Sequence, residues 1–547
     1  MIRSILVLLA FVSAFALAAR ADPARPTIPE KRFDVVRFGA VGDGRTDGTH
    51  AIQNAIEAAA DAGGGVVVLP PSTRSYLSGP LHLRSRVRFH LEKGATLQPL
   101  PYGAGSNTPG TYPLSGRAYA NFITGEKVHD VAITGAGTID GAGVAWWAAF
   151  RADKKMPHRP YLVRFSGCTN VLVADVTLTN SPSFHLAFSS TDYVTVEGIT
   201  ILAPADAPNT DGIDPAGSHY LIRRCRVSTG DDNIAVKAGG SFCSDIRITD
   251  CTFGTGHGLS VGGQSNRGLD GMIVTNCTFN GTTSGLRLKA DATQGGPVRN
   301  IIYTNLTMTD VKYPIVFYSY YNKTGNPGNG KSTPAVVAAW NAAPPSPLDS
   351  STIPTWRNII IRDLTITGAS GHSVIWGLPL AEGFFSDVHV INLHYAGEKG
   401  FLLYNARNIG FSATDIRLVG GAAPFTTYNA LAIVQQSGNQ LAHVGGTAVF
   451  EIVVAGGGAS GAIAPTVRWT FEGKPLADGP QSDGTIVSGA GTAKLELKNV
   501  QPDAAGRYVA VVNAALDAYD PGKDRLVSGS VPATATSLVA TLIVENR

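Results

Sequence analysis

One theme recurs along most of this chain: an Asp, Asn or similar residue, then alternating aliphatics, then a short polar turn. It reads Asp130-Val-Ala-Ile, Asn170-Val-Leu-Val, Tyr193-Val-Thr-Val, Tyr220-Leu-Ile, Asp245-Ile-Arg-Ile and Gly271-Met-Ile-Val. It continues as Asn300-Ile-Ile-Tyr, Asn358-Ile-Ile-Ile, Asp387-Val-His-Val and Asn408-Ile-Gly-Phe, mostly at intervals of about 21 to 29 residues. A unit this short cannot bury its own apolar face and has to stack on its neighbours. Helical patterns between the units are missing, which argues against a βαβ sheet or a TIM barrel. The pattern predicts an all-β chain built on a right-handed parallel β-helix, a solenoid whose hand follows from the crossover rule.

Composition agrees. A chain of 547 residues is too long for one ordinary core, and 16% charged residues with 63 glycines suit a turn-rich secreted β protein. A formal charge of +3 is too small to imply nucleic acid or membrane binding, so attraction to an acidic partner must come from locally placed Arg and Lys. Residues 1–21 read as a signal peptide: Arg3, an apolar run from Ile5 to Ala19, then Ala19-Arg20-Ala21 before Asp22. Cleavage after about Ala21 would deliver the chain to the periplasm or the exterior, and no second apolar run could span a bilayer. Of five cysteines, Cys225, Cys251 and Cys277 recur at one phase of the repeat, as a stack of small core side chains would; Cys168 and Cys243 share another phase. Core thiols are expected rather than disulfides, and no metal-binding spacing accompanies them.

An amphipathic helix is expected from about Thr49 to Ala62, with Thr46 or Asp47 as its N-cap and Gly63-Gly-Gly65 as its terminator, covering the open end of the solenoid. Two intervals are longer than the rest, from Gly141 through Trp146-Trp147 to about Tyr161, and from Tyr318 to Trp356. Insertions in a solenoid emerge as loops, often on the binding face. We expect the solenoid over 22–425 and an immunoglobulin-like β-sandwich over 426–547. Beyond Asn439 strand-like runs come at sandwich spacing, Trp469 suits a buried strand tryptophan, and Asp503-Ala-Ala-Gly-Arg-Tyr508 resembles a tyrosine corner, although the usual cysteine pair is missing. The sandwich carries no chemistry of its own and reads as a spacer or stabilising module.

Chemistry concentrates between Asn209 and Lys289, in Asn209-Thr-Asp-Gly-Ile-Asp214, Gly230-Asp-Asp-Asn-Ile-Ala-Val-Lys237, Gly256-His-Gly-Leu-Ser-Val261 and Gly285-Leu-Arg-Leu-Lys289. Aligned on Ile213, Ile234, Leu259 and Leu286, the position two residues earlier holds Asp211, Asp232, His257 and Ser284. Alone, each Asp-Gly or Gly-Asp-Asp reads as a turn. At one phase of a stacked repeat, with coils about 4.8 Å apart, they read as a ladder of carboxylates ending in a histidine. Crowded carboxylates repel one another, which raises at least one pKa and holds a proton. Asp231 precedes the column by one residue and should point elsewhere.

These motifs, in this order, resemble glycoside hydrolase family 28, the polygalacturonase family, and the resemblance runs from about Phe33 to Leu418. It implies a secreted, inverting hydrolase of α-1,4-galacturonosidic bonds in pectin, with Asp231 as general acid, Asp211 and Asp232 activating water, and His257 supporting the acid. It further implies that Arg287 and Lys289 bind the sugar carboxylate, with Asn209 also at the substrate and Tyr321 as the contacting tyrosine, Tyr320 being the rival. Asn233 stands where relatives often carry Cys or a small residue. No cofactor or metal is expected, the partner is the acidic polysaccharide itself, and the chain is expected to be a monomer. The alternatives are rhamnogalacturonan or xylogalacturonan hydrolysis within the same family, a calcium-dependent pectate lyase, or a non-catalytic pectin-binding protein.

Overall fold

The computed structural model describes residues 21–104, 109–321, 327–344, 352–457, 464–520, 523 and 525–546. All but the last residue of the expected signal peptide lies outside them. The chain divides into two compact units, Met1–Arg287 and Leu288–Arg547. Among the described residues, no helix is long and apolar enough to cross a membrane.

The first unit is a stack of parallel coils. Val131, Val171, Val194, Tyr220, Ile246 and Met272 stand in register on successive rungs, and all are buried to within about 1% of full coverage. One such side chain, fully buried, contributes about 1.5–3 kcal/mol, and only the neighbouring coil makes that burial available. The residue just before each member of the column, Asp130, Asn170, Tyr193, His219, Asp245 and Gly271, has positive φ. This explains the recurring Asp and Asn, which tolerate the left-handed region better than other residues with a Cβ. It also shifts one reading: Tyr220 belongs to the aliphatic column, and His219 is the turn residue.

At one end, the helix Thr49–Asp61 buries Ile52, Ala55, Ile56 and Ala59. Its cap position falls to Gly48 rather than Thr46 or Asp47. Asp47 still accepts a hydrogen bond from Thr49 N at 2.9 Å, and Thr46 is held by Asp43 instead. Gly63 and Gly64, both at positive φ, close the helix by donating to Ala60 and Ala59. The 141–161 insertion folds around the helix Val144–Ala152. Trp146 packs on Tyr102, Tyr112 and Tyr119, and Trp147 Nε1 donates to Ser181 O at 3.0 Å. All five cysteines are free and buried. Cys225, Cys251 and Cys277 each place Sγ 3.3 Å from the carbonyl two residues earlier, one arrangement repeated on successive coils.

The second unit repeats the same coil: Ile301, Ile359, Val388 and Ile409 share one parallel register, again each preceded by an Asn or Asp at positive φ. Its long insertion contains the helix Pro334–Ala342, capped by Thr333. The strand Phe425–Gln436 pairs in parallel with Phe401–Leu418 and antiparallel with Thr447–Gly457, so a single strand joins the parallel coils to antiparallel strands. Beyond it, antiparallel strands enclose Phe450, Trp469, Leu495, Leu497 and Tyr508. Trp469 Nε1 donates to Thr492 O, and Tyr508 OH reaches back to Ala504 O, each at 2.8 Å. The protein is an all-β parallel β-helix.

Candidate active site

The register predicted for Ile213, Ile234 and Leu259 is the register found. Leu186, Ile213, Ile234 and Leu259 are parallel neighbours on successive coils. Backbone bonds lock the segments just before them: His185 N donates to Asp211 O, Gly212 N to Asp232 O, and Asn233 N to Gly258 O, at 2.8–3.0 Å. Asn233 staples the turn, accepting from Gly258 N at 2.9 Å and donating to Val227 O, Thr229 Oγ1 and Thr255 O. His257 is flanked by glycines for a steric reason: a Cβ on Gly258 would lie 2.1 Å from Ser284 O, and Gly256 and Gly258 both have positive φ.

The three carboxylates occupy different environments. Asp211 and Asp232 are 4% and 1% exposed, whereas the Asp231 side chain is 23% exposed. Asp231 Oδ1 faces His257 Nδ1 at 3.0 Å and accepts from Asp232 N at 2.9 Å, while Asn209 Nδ2 approaches Oδ2 at 3.5 Å. Asp232 Oδ1 accepts from Ser260 Oγ at 2.9 Å and from Arg287 Nη1 at 3.0 Å. Asp211 Oδ2 accepts from Lys237 Nζ at 2.9 Å. Burial pushes the Asp211 carboxyl up to about 6; Lys237 opposes that shift, and the charges on Asp231 and Asp232 reinforce it.

Of the residues predicted from sequence, the first unit brings together Asn209, Asp211, Asp231, Asp232, His257 and Arg287. Arg287, expected to turn toward a sugar carboxylate, lays its guanidinium on Asp232. In the second unit, Lys289 is buried, with Nζ 4.8 Å from the centre of the Tyr321 ring. Tyr320 is fully buried against Trp340 and Trp376, so of the two candidate tyrosines Tyr321 is the one on the lysine.

Four supporting residues were not singled out from sequence. Lys237 pairs with Asp211 and, at 3.6 Å, with the buried Asp214. Ser260 bonds Asp232, and His185 lies under Asp211 with Nδ1 3.1 Å from its carbonyl. Arg159, from the 141–161 insertion, donates to Asn209 Oδ1 at 2.8 Å and to the carbonyls of Pro182 and Pro208. Burial lowers the Arg159 guanidinium to about 10. Ser260 and Lys237 could have been found by strand alternation, since each continues an Ile- or Leu-initiated strand of the ladder; Arg159 carries no such signal.

Asp231, Asp232 and His257 could each offer one atom to a metal ion, all within 4.8 Å of one another. The set does not fit a divalent ion well, because the Arg287 guanidinium already sits on Asp232 Oδ1 and would face the ion across one oxygen.

The model of glycosyl hydrolases family 28 matches residues 76–338, and that of rhamnogalacturonase A/epimerase, pectate lyase-like, matches residues 32–90. An endo-polygalacturonase of Pectobacterium parmentieri is 33% identical over 375 residues, which cover 65% of this chain and 86% of that protein. This chain belongs to glycosyl hydrolase family 28. It is a glycoside hydrolase. Among solved structures, a polygalacturonase from Erwinia carotovora ssp. carotovora superimposes with a TM-score of 0.54 at 28% identity, covering 75% of this chain and 99% of that one. An exopolygalacturonase from Thermotoga maritima shares the fold with a TM-score of 0.60 at 23% identity, covering 75% and 96%. The match to the pectate lyase-like model ends well before Asn209, so the ladder falls wholly within the family 28 match.

Proposed function

We propose that this glycoside hydrolase cleaves α-1,4-galacturonosidic bonds of polygalacturonate by single displacement with inversion. Asp231 is the general acid, and Asp211 with Asp232 activates the attacking water. The observation that carries this reading is the unequal treatment of the three carboxylates. The two buried ones each hold a cation, Lys237 on Asp211 and Arg287 on Asp232, whereas the more exposed Asp231 holds a histidine. A cation favours the ionised form that a base needs, and the carboxyl paired with a histidine suits the proton donor.

In the reaction, water adds to the anomeric carbon as its bond to the glycosidic oxygen breaks. The proton lost by water goes to the Asp211–Asp232 pair, and the leaving oxygen takes the proton of Asp231. His257 supports Asp231 through the hydrogen bond at 3.0 Å, and Arg159 holds Asn209 beside it. We assign Lys289 and Tyr321 to the galacturonate carboxylate, which a buried ammonium beside a tyrosine ring suits. Arg287 serves Asp232 at least as much as it serves substrate. The endo-polygalacturonase of Pectobacterium parmentieri, a relative at 33% identity, supports this substrate class. Export as a monomer, with the 426–547 module as an immunoglobulin-like spacer, completes the proposal.

Digestion of polygalacturonate by wild type and Asp231→Asn tests it, following reducing ends and the ultraviolet absorbance of unsaturated ends. New reducing ends without absorbance, lost in the variant, are expected. Absorbing products would overturn the hydrolytic mechanism, and cleavage of rhamnogalacturonan or xylogalacturonan alone would overturn the substrate.

A further inference from the structure

Lys237 follows the strand Ile234–Val236, and its backbone N donates to Pro215 O at 2.8 Å, fixing it to the neighbouring coil. Its ammonium lies 2.9 Å from Asp211 Oδ2, 3.6 Å from Asp214 Oδ2 and 5.0 Å from the centre of the Phe184 ring. Asp214 is 1% exposed, and among the described residues neither of its oxygens has a hydrogen-bond partner. Among the described residues, the Lys237 ammonium is the charge partner of that carboxyl.

We propose that Lys237 is a positioning residue for hydrolysis: it grips Oδ2 of Asp211 and holds that carboxylate in its charged form, while Asp214 anchors the ammonium from the other side. The proposal rests on the reading of Asp211 as a water-activating base. With Oδ2 occupied, Oδ1 is the oxygen left to receive the proton of water. The groups facing Asp211 explain why a cation is needed. Asp231, Asp232 and Asp214 all oppose its charge, and the Tyr161 phenol, near Arg164, adds none to offset them. His185 meets Asp211 at its carbonyl, accepts from Ser181 N at 3.4 Å, and is held neutral by burial. Lys237 is the ammonium bonded to Asp211 itself; burial alone would lower its pKa, but Asp211, Asp214 and Asp232 together raise it well above the ordinary lysine value. It therefore stays charged across any pH at which the enzyme works.

The test is the pH profile of kcat/KM on polygalacturonate for Lys237→Met, Lys237→Arg and Asp211→Asn, with thermal denaturation of each. In Lys237→Met the acidic limb is expected to move up by about 1 unit or more, with KM little changed and a loss of about tenfold at pH values below the limb. Lys237→Arg is expected to keep the limb where it is. Should Lys237→Met fail to fold, Lys237→Gln, which keeps a donor but not the charge, gives the same reading. An unmoved limb in the neutral variant, with Asp211→Asn inactive, would overturn the role of Lys237 alone. Wild-type activity in Asp211→Asn would instead overturn the reading of Asp211.

Discussion

His257 Nδ1 stands 3.0 Å from Asp231 Oδ1 and 4.0 Å from Asp232 Oδ1. The imidazole therefore serves the more exposed of two adjacent carboxyls, the one assigned as proton donor. His257→Ala is expected to lower kcat by about 10²- to 10³-fold, within the usual range for support of a general acid, and to leave KM nearly unchanged. Steady-state kinetics with a circular dichroism check of folding would measure it. An equal rise in KM would indicate a substrate-binding role instead.

The acid side of the pH profile follows from Asp211. A base works only when ionised, and burial has raised this carboxyl to about 6. Activity is expected to decline as pH falls through that value, by about tenfold for each further unit. Initial rates on polygalacturonate in buffers of constant ionic strength check this.

Stability should respond to pH through His185. Its imidazole is fully buried, and desolvation lowers it from 6.5 to about 4. Between these values the unfolded chain binds a proton that the native chain refuses, so this contribution is present in full above 6.5 and is lost as pH falls toward 4. The loss is about 3 kcal/mol at most. Asp211, whose native carboxyl is raised, acts in the opposite sense between 3.8 and about 6, so the comparison must isolate the histidine. Urea unfolding of wild type and His185→Gln at pH 7 and pH 4.5 is expected to give a shallower pH dependence in the variant.

The segment from Asp22 to Thr27 lies along several coils of the first unit. Asp22 pairs with Arg247 at 2.9 Å and Arg223 at 3.2 Å, Arg25 with Glu197 at 2.5 Å, and Thr27 N with Asp130 at 3.1 Å. Asp22 and Arg25 are themselves about half exposed, and pairs with one partner at the surface are worth about 1 kcal/mol each and weaken with salt. Asp22→Asn combined with Arg25→Gln is expected to lower the melting temperature by a few degrees at low salt and by less at high salt, with activity unchanged. Differential scanning calorimetry at two ionic strengths measures it.

Much of this was legible in the sequence because a solenoid converts sequence period directly into spatial register. The alignment of Ile213, Ile234 and Leu259 is both a pattern in the letters and a set of backbone partners. The recurring Asn and Asp were equally visible, though their reason, a left-handed backbone at each coil, emerged only with the dihedrals. What stayed hidden depends on side-chain reach. Nothing in the letters tells Arg287 to choose Asp232, 55 positions earlier, or Lys237 to choose Asp211, 26 positions earlier. The helices of the two insertions were also missed, because Val144–Ala152 and Pro334–Ala342 are each only 9 residues long and too short to show a helical period clearly.

The central claim, inverting hydrolysis of an α-galacturonoside, is tested most directly by proton NMR of the reducing-end anomers during the first minutes of cleavage, before mutarotation equilibrates them. Inversion predicts that the β-anomer appears first and the α-anomer follows only at the rate of mutarotation. Appearance of the α-anomer first would mean a covalent double displacement, and the assignment of Asp211 and Asp232 to water would be wrong.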